Sequence, residues 1–571
     1  MIPFLSGGSM NRHALPLATL SLSCTCLCLV GCSANLFAPA ESDLGERLSV
    51  ERTRDVGSLD LAGFVAESQP TPDAQNLEAR PSPFEGLTEL GLTIEEARAA
   101  TLANNLDLKV ALVDPSIEAQ SVSEAEAAFN SAFTLSGFWA QTDTPTSSTL
   151  NDAQAEQQSL TPGVRIPLMT GGTASITLPM RRTETNNAFS TLNPAYTSDL
   201  QFSLSQPLLR GAGRRSTTHA LRVAGINQDI AETRTKATVI AQLANAERAY
   251  WQLYAARQEL QLRQEEFEVA REVLNQAQRL LDAGSVAEIE VIRAESGVAD
   301  RLDAILRAEQ AVLLQQRTLK RVMNIEGLGV GSKTVILPVS PPDPVMYEVD
   351  AAELADLAVA SRMDLLALEL QLLADASQID FNRNQTLPAL NLDASYTING
   401  LGGNLRDSAS IAAQNEFEDW SVGFSGEIPI GNQAAESRLR RSVLTRIQRI
   451  SDKASREQTI RQDVFDATDN LRAGWQRIMA SQQAVILNTR TLEAERRQFE
   501  LGSSTSTDVL DAASRLVSAR SDEIRAVVDY QIAQLNLAQS TGMVLGAAKV
   551  RWEPYDDENP EVRALEDGRL W

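Results

Sequence analysis

The chain says the same thing twice. "DAGSVAEIEVIRAES" at Asp282–Ser296 and "ELGSSTSTDVLDAAS" at Glu500–Ser514 align without a gap, with Gly284 over Gly502, Val291 over Val509 and Ala294 over Ala512. "NNLDLKVAL" at Asn104–Leu112 resembles "SRMDLLALE" at Ser361–Glu369, with Asp107 over Asp364; Phe133 falls on Leu390 in that same alignment. "SQPLL" at Ser205–Leu209 is echoed by "EIPI" at Glu427–Ile430. A duplication constrains the fold more than any single motif, because each half must be a like unit. Each half reads helix, strand, loop, strand, long helix, glycine-containing turn, helix.

Proline placement supports the long helices. No proline occurs from Leu208 to Leu337, nor from Ile430 to Glu553. Both blocks are rich in Ala, Leu, Gln, Glu and Arg, the strong helix formers. Apolar residues recur at spacings of three and four (Leu243, Ala246, Tyr250, Leu253), one stripe of a packed helix. Helix from about Ala212 to Ala283 would run roughly 105 Å at 1.5 Å per residue, which suggests a coiled coil or a helical tube. Strand-like text precedes each block. Leu200, Phe202 and Leu204 alternate with Gln201, Ser203 and Ser205; Leu390, Leu392, Ala394 and Tyr396 alternate with small polar residues, as do Trp420, Val422 and Phe424. Phe133, Leu135 and Trp139 alternate less cleanly. Period two of this kind fits a membrane barrel wall and equally a half-buried soluble sheet.

Composition narrows the functions. The formal net charge is −24, with 75 acidic against 51 basic side chains, so nucleic acid is an unsuitable partner. The four cysteines, Cys24, Cys26, Cys28 and Cys32, and His13 lie near the start, leaving His219 alone in the body. A metal centre or a Ser-His-Asp triad is hard to assemble from that inventory. An apolar run from Leu15 to Val30 suits a signal segment rather than a membrane span. It ends in Leu29-Val30-Gly31-Cys32, which resembles the lipobox of bacterial lipoproteins. The resemblance implies cleavage before Cys32 and a covalent lipid there, with no other cofactor; the alternative is an ordinary signal peptide. Met10 is an alternative start. Ser33, rather than Asp, after the Cys favours the outer membrane. The expected organisation is a signal peptide at 1–31, an extended tether at 32–89, a first repeat at 90–346, a second at 347–548 and an acidic tail at 549–571.

The chain resembles the TolC-like outer-membrane efflux family, in its lipoprotein branch. The resemblance rests on "LTIEEARAATLANNLDLKVA" (Leu92–Ala111), "SLSQPLLRGAGRR" (Ser203–Arg215) and the two phrases around Gly284 and Gly502. It implies a mainly α chain with membrane β-barrel segments. Three copies, each giving four strands, would form a twelve-stranded barrel continued by a long periplasmic α-helical barrel. Four strands cannot close alone, since even the smallest barrels have about eight. The turns at Gly284 and Gly502 would be helical tips that meet a periplasmic adaptor. Asp508 and Asp511 of "DVLDA" would ring the closed periplasmic aperture, attracting cations and raising some carboxyl pKa values by crowding; Asp508 could also simply cap its helix. Glu290 and Arg293 stand at the corresponding first-half tip.

"GVRIPLMTGGTASITLPMRR" (Gly163–Arg182) exceeds that pattern and reads as an extra hairpin turning at Thr170–Gly172. It is expected as an external loop, the alternative being entry into the wall. The function implied is a passive exit duct for efflux or type I secretion, driven by an inner-membrane pump and opened by the adaptor. The alternative is a lipid-anchored adaptor or coiled-coil scaffold, which should carry one helical hairpin rather than two strand–helix repeats. An enzyme working through carboxylates finds no support in 5% aromatic content spread over long helices.

Overall fold

The repeat is visible first in how its helices begin. In the computed structural model, which describes residues 83–146, 152–501 and 503–553, a short strand β1 (Glu89–Leu92) leads into α1 (Ile94–Asn104). Thr93 caps α1 in a capping box with Glu96. Asn105 is extended, ends α1 and caps α2 (Leu106–Ala127) by accepting from the Leu108 N–H. In the second repeat extended Arg362 stands at the same step between two helices. All described residues lie in the unit Leu77–Trp571. Cys32, Gly502, most of the tether and the tail from residue 554 lie outside the described residues.

After α2 come β2 (Ala132–Asp143), β3 (Gln154–Pro167), β4 (Thr173–Thr177), β5 (Met180–Thr185), β6 (Ala195–Ser198) and β7 (Leu200–Pro207). A single turn α3 (Arg214–Thr217) opens onto α4 (His219–Asp282), which returns through α5 (Glu288–Met323) to β8 (Val335–Pro338). The second repeat is α6 (Ala351–Ser361), α7 (Met363–Gln385), β9 (Ala389–Ile398), β10 (Leu401–Gly402), α8 (Leu405–Gln414), β11 (Glu418–Glu427), α9 (Gln433–Glu500), α10 (Ser506–Ser540) and α11 (Val544–Ala547). Ala351, Met363 and Ala389, which open α6, α7 and β9, follow Ile94, Leu106 and Ala132, which open α1, α2 and β2, at one constant interval.

The sheet is simpler than its sequence of strands. β3 pairs with β4 and β5 in one register, Val164 opposite Ile176 and Ser159 opposite Arg181, so β4–β5 is one strand interrupted at Leu178 and Pro179. β6–β7 is likewise one strand interrupted at Asp199, and β9–β10 one interrupted at Asn399 and Gly400. Among the described residues the result is six antiparallel strands in chain order: β2, β3, β4–β5, β6–β7, β9–β10, β11. This corrects the expected external loop: the Gly163–Arg182 hairpin lies between β2 and β7, inside the sheet, and the chain supplies six strands rather than four. Its turn is seated on the passage from β7 to α3. The Gly213 N–H donates to the Thr170 carbonyl at 3.0 Å, and Gly171 holds φ +96 against the Gly211 carbonyl, where a side chain would collide.

The long helices are α4, of 64 residues, and α9, of 68. They run roughly 96 and 102 Å at 1.5 Å per residue. α4 begins later than the expected Ala212 because Gly211 and Gly213 hold positive φ there. α10 packs between α4 and α9; α5 flanks α4 on the tip side, and α2 and α7 pack on the sheet side. Their core is a chain of small clusters. Tyr250, Leu253, Leu319 and Ile336 bury one of these midway, and Phe267, Val298, Phe499 and Leu510 another near the turns. Each such side chain contributes roughly 1.5–3 kcal/mol of burial. Fully buried Tyr250 accepts from the Ser340 N–H at 2.9 Å and donates to the Leu92 carbonyl at 3.1 Å, fastening the parallel β1–β8 pair to α4. No helix among the described residues is long and apolar enough to cross a membrane.

Candidate pore wall and helical tips

The register of the sheet sorts its side chains onto two faces. On one face a single row runs Phe133, Val164, Ile176, Phe202, Tyr396, Trp420 across all six strands. Leu135, Leu160, Leu204, Val422 and Phe424 extend it into an apolar band. These residues face outward without cover: Phe133 is 70% and Trp420 74% exposed. The opposite face is polar. Arg165, Ser175, Ser203, Ser395 and Ser421 form one row, with hydroxyl–hydroxyl hydrogen bonds at 2.6 Å (Ser175–Ser203) and 2.8 Å (Ser395–Ser421). Asp393 accepts from Ser205 and Ser425 on that side. An apolar band backed by a polar face is what a wall between lipid and water requires.

Both edges of this wall are open. Among the described residues β2 and β11 each have one strand neighbour, and every residue of β11 is exposed. The helices repeat the pattern. α2 packs on α1 and α4 and leaves Leu106, Val110 and Ile117 exposed on its free face; α9 leaves Leu444, Ile447 and Ile450 exposed near its start.

At the far end the two tips differ. α4 ends in a Schellman turn: the Ser285 N–H donates to the Leu280 carbonyl and the Gly284 N–H to Leu281, both at 2.8 Å, with Gly284 at φ +71. Ala287 then precedes α5 without a side-chain cap. At the second tip Thr505 caps α10 in a capping box. The Thr505 N–H and hydroxyl donate to the Asp508 carboxylate at 3.0 and 2.6 Å, and Ser504 adds a third hydrogen bond. These bonds, led by the Thr505 hydroxyl, hold the Asp508 carboxyl below its ordinary pKa. Within one chain Asp508 therefore shifts opposite to the rise expected from crowding. Asp511, one turn on, is exposed on a groove between α9 and α10 that also presents Arg477, Arg515, Asp522, Arg525 and Asp529.

One tip contact was missed by sequence reasoning. Glu290 accepts from the Ser506 hydroxyl at 2.6 Å and pairs with Arg293 at 2.7 Å, tying the first tip to the second. Its counterpart in the second phrase is Asp508. With Ala at the cap position, Glu290 has no hydroxyl to bind locally and reaches across instead.

This combination of wall, long helices and paired tips has relatives. The outer membrane efflux protein family model matches residues 175–324 and 354–543, one segment in each repeat. The chain belongs to the outer membrane efflux protein family. It is 25% identical over 333 residues to the outer membrane protein TolC of Vibrio cholerae, covering 58% of this chain and 74% of that one. It is also 25% identical over 393 residues to TolC of Escherichia coli, covering 64% and 76%. Among solved structures, the CmeC outer membrane channel of Campylobacter jejuni superposes with a TM-score of 0.59 at 13% identity, over 90% of this chain and 97% of that one. The protein is thus an outer-membrane efflux channel and not an enzyme, with a β wall continued by long helices and two repeats per chain. Two complete strand–helix repeats also disfavour the adaptor alternative.

Proposed function

We propose that three copies join edge to edge into a closed exit duct of a tripartite efflux or type I secretion system. The observation that carries this reading is the pair of open edges. β2 with α2 bounds one side, β11 with α9 the other, and both expose apolar side chains. A sheet edge in lipid leaves backbone groups unpaired, at a cost of several kcal/mol each. β11 runs antiparallel to β2, so β11 of one copy can pair with β2 of the next and the ring closes. Sedimentation of the purified protein in detergent should give a trimer that no dilution separates; a dissociating monomer would refute the ring.

The helical tips around Gly284 and Gly502 form the docking places for the helical hairpins of a periplasmic adaptor, and an inner-membrane pump supplies the energy. Asp508 and Asp511 line the aperture, three pairs around the axis. Opening parts the tips, favoured by adaptor contacts made only in the open state. Asp508→Ala with Asp511→Ala should raise single-channel conductance and weaken cation preference in planar bilayers; unchanged values would remove both residues from the gate. Cys32 carries the lipid anchor, the only covalent addition required, and intact-mass analysis of the mature N-terminus tests it: an unacylated Cys32 would refute the anchor.

A further inference from the structure

We infer that the hairpin Gln154–Thr185 is part of the pore wall, facing lipid over Leu160–Met180, so that three copies enclose an eighteen-stranded outlet rather than a twelve-stranded one. This rests on the proposed ring of three copies.

Four observations carry it. The hairpin is paired along its length on both sides: β3 with β2 from Ala132–Arg165 to Asp143–Gln154, and β4–β5 with β6–β7 from Thr173–Ser205 to Thr183–Ala195. Over the half nearest its turn, the outward residues Leu160, Val164, Ile166, Ile176 and Met180 continue the apolar band of the neighbouring strands; toward the other end Glu156, Gln158, Arg182 and Glu184 take over that face, with Arg182 paired to both glutamates, so the lipid-facing part is Leu160–Met180. Its inward residues continue the polar face, and the Ser175–Ser203 hydrogen bond joins the hairpin to the row of serines that runs on to β11. The periplasmic turn is built into the strand-to-helix passage through Gly171, Gly172 and Gln206: Thr170 Oγ1 donates to Gln206 Oε1 at 2.8 Å, and a side chain on Gly172 would strike Gln206. A hairpin free in solvent needs none of these matches. A pair of strands also preserves the alternation of direction, so the edges still meet antiparallel.

Barrel circumference grows with strand number. With a strand spacing of ~4.8 Å and a tilt of ~40°, eighteen strands give a backbone diameter of roughly 36 Å against roughly 24 Å for twelve. The backbone ring would thus be about 1.5-fold wider, and the outlet inside it correspondingly larger. The hairpin also adds Arg165 and Arg181 to the polar face, each exposed and in no ion pair among the described residues. On that face they stand with Asp393, Asp419 and Glu427 of β9 and β11, so the lumen of the ring would carry both signs of charge rather than a single-sign field.

Single-cysteine labelling tests the placement, since every native cysteine lies at or before Cys32. Ser175→Cys, Ile176→Cys, Ser203→Cys and Phe202→Cys are made in the full chain, assembled in lipid nanodiscs and treated with a charged, membrane-impermeant maleimide; the parent protein sets the background. Positions 175 and 203 should react at least tenfold faster than 176 and 202. If 176 reacts as fast as 175 while 202 stays protected, the hairpin lies outside the wall and this inference fails alone. If 202 also reacts as fast as 203, the membrane wall itself is wrong, and the exit-duct reading fails with it.

Discussion

The two repeats keep step and then part company at one place. From α1 through β2 the second repeat follows the first at a constant interval, Ile94 to Ala351 and Ala132 to Ala389. At the tips the interval is shorter, from Glu288 at the start of α5 to Ser506 at the start of α10. The first repeat therefore holds chain that the second lacks. The surplus falls between β2 and β7, where the inserted hairpin lies. The second repeat crosses the wall with one strand out and one back; the first crosses four times. A duplicated scaffold can thus change the girth of its outlet in one half while keeping the helical duct and the turns in both.

The largest expected effect lies where the second repeat has no counterpart. Gly171→Val sets a branched side chain at positive φ against the Gly211 carbonyl. It should destabilise the assembled wall by about 3 kcal/mol or more, read as loss of heat-resistant trimer. Gly431 in the second repeat also has positive φ, yet a side chain there meets open space. Gly431→Ala should cost about 1 kcal/mol. Equal losses would mean that the hairpin turn is not seated as described.

A second contrast is between Asp364 and its counterpart Asp107. Asp364 accepts from Arg362 at 2.7 Å and from Arg456, and Arg362 also binds Asp463 at 2.7 Å. Burial alone would raise the Asp364 carboxyl, but Arg362 and then Arg456 outweigh it and hold it below its ordinary pKa. Among the described residues Asp107 has only a 3.3 Å hydrogen bond from Gln242. Asp364→Ala should cost roughly 2 kcal/mol, a buried-pair penalty discounted for partial exposure, and Asp107→Ala under about 0.5 kcal/mol. A carboxyl with a depressed folded pKa stabilises above its unfolded value, about 3.9, and loses that contribution as pH falls through the folded value. Thermal unfolding of the parent should therefore show an acid limb that Asp364→Asn flattens. A parallel pH dependence in both proteins would mean that Asp364 does not set the limb.

The smallest effect is at the tips. Thr505→Ala should free the α10 start by about 1 kcal/mol, seen as faster hydrogen exchange over residues 506–510. Ala287→Thr should slow exchange at the start of α5 and draw Glu290 away from Ser506. Were Glu290 already capping α5, this substitution would leave exchange unchanged.

Much of this was legible. Alternation placed the strands around Phe202, Tyr396 and Trp420, and the absence of proline placed α4 and α9, because both signals are local. The cap of α10 was half legible: Asp508 was expected as the cap itself, whereas Thr505 caps the helix and Asp508, three positions on, returns the bond in a capping box. The position of the Gly163–Arg182 hairpin could not be read from alternation, since an exposed hairpin and a wall hairpin share period two. What separates them is pairing with β2 and β7, set by contacts distant in sequence, although the two unequal intervals already implied an insertion in the first half. The Glu290–Ser506 bond joins residues 216 apart and left no local signal.

Electron cryomicroscopy of the purified protein in lipid nanodiscs tests the central claim most directly, that one chain's sheet cannot close and copies must complete it. The expected particle has three-fold symmetry, a continuous ring of eighteen strands and a helical duct about 100 Å long. A stable monomer, or a ring closed by four strands per copy with the hairpin outside, would contradict it.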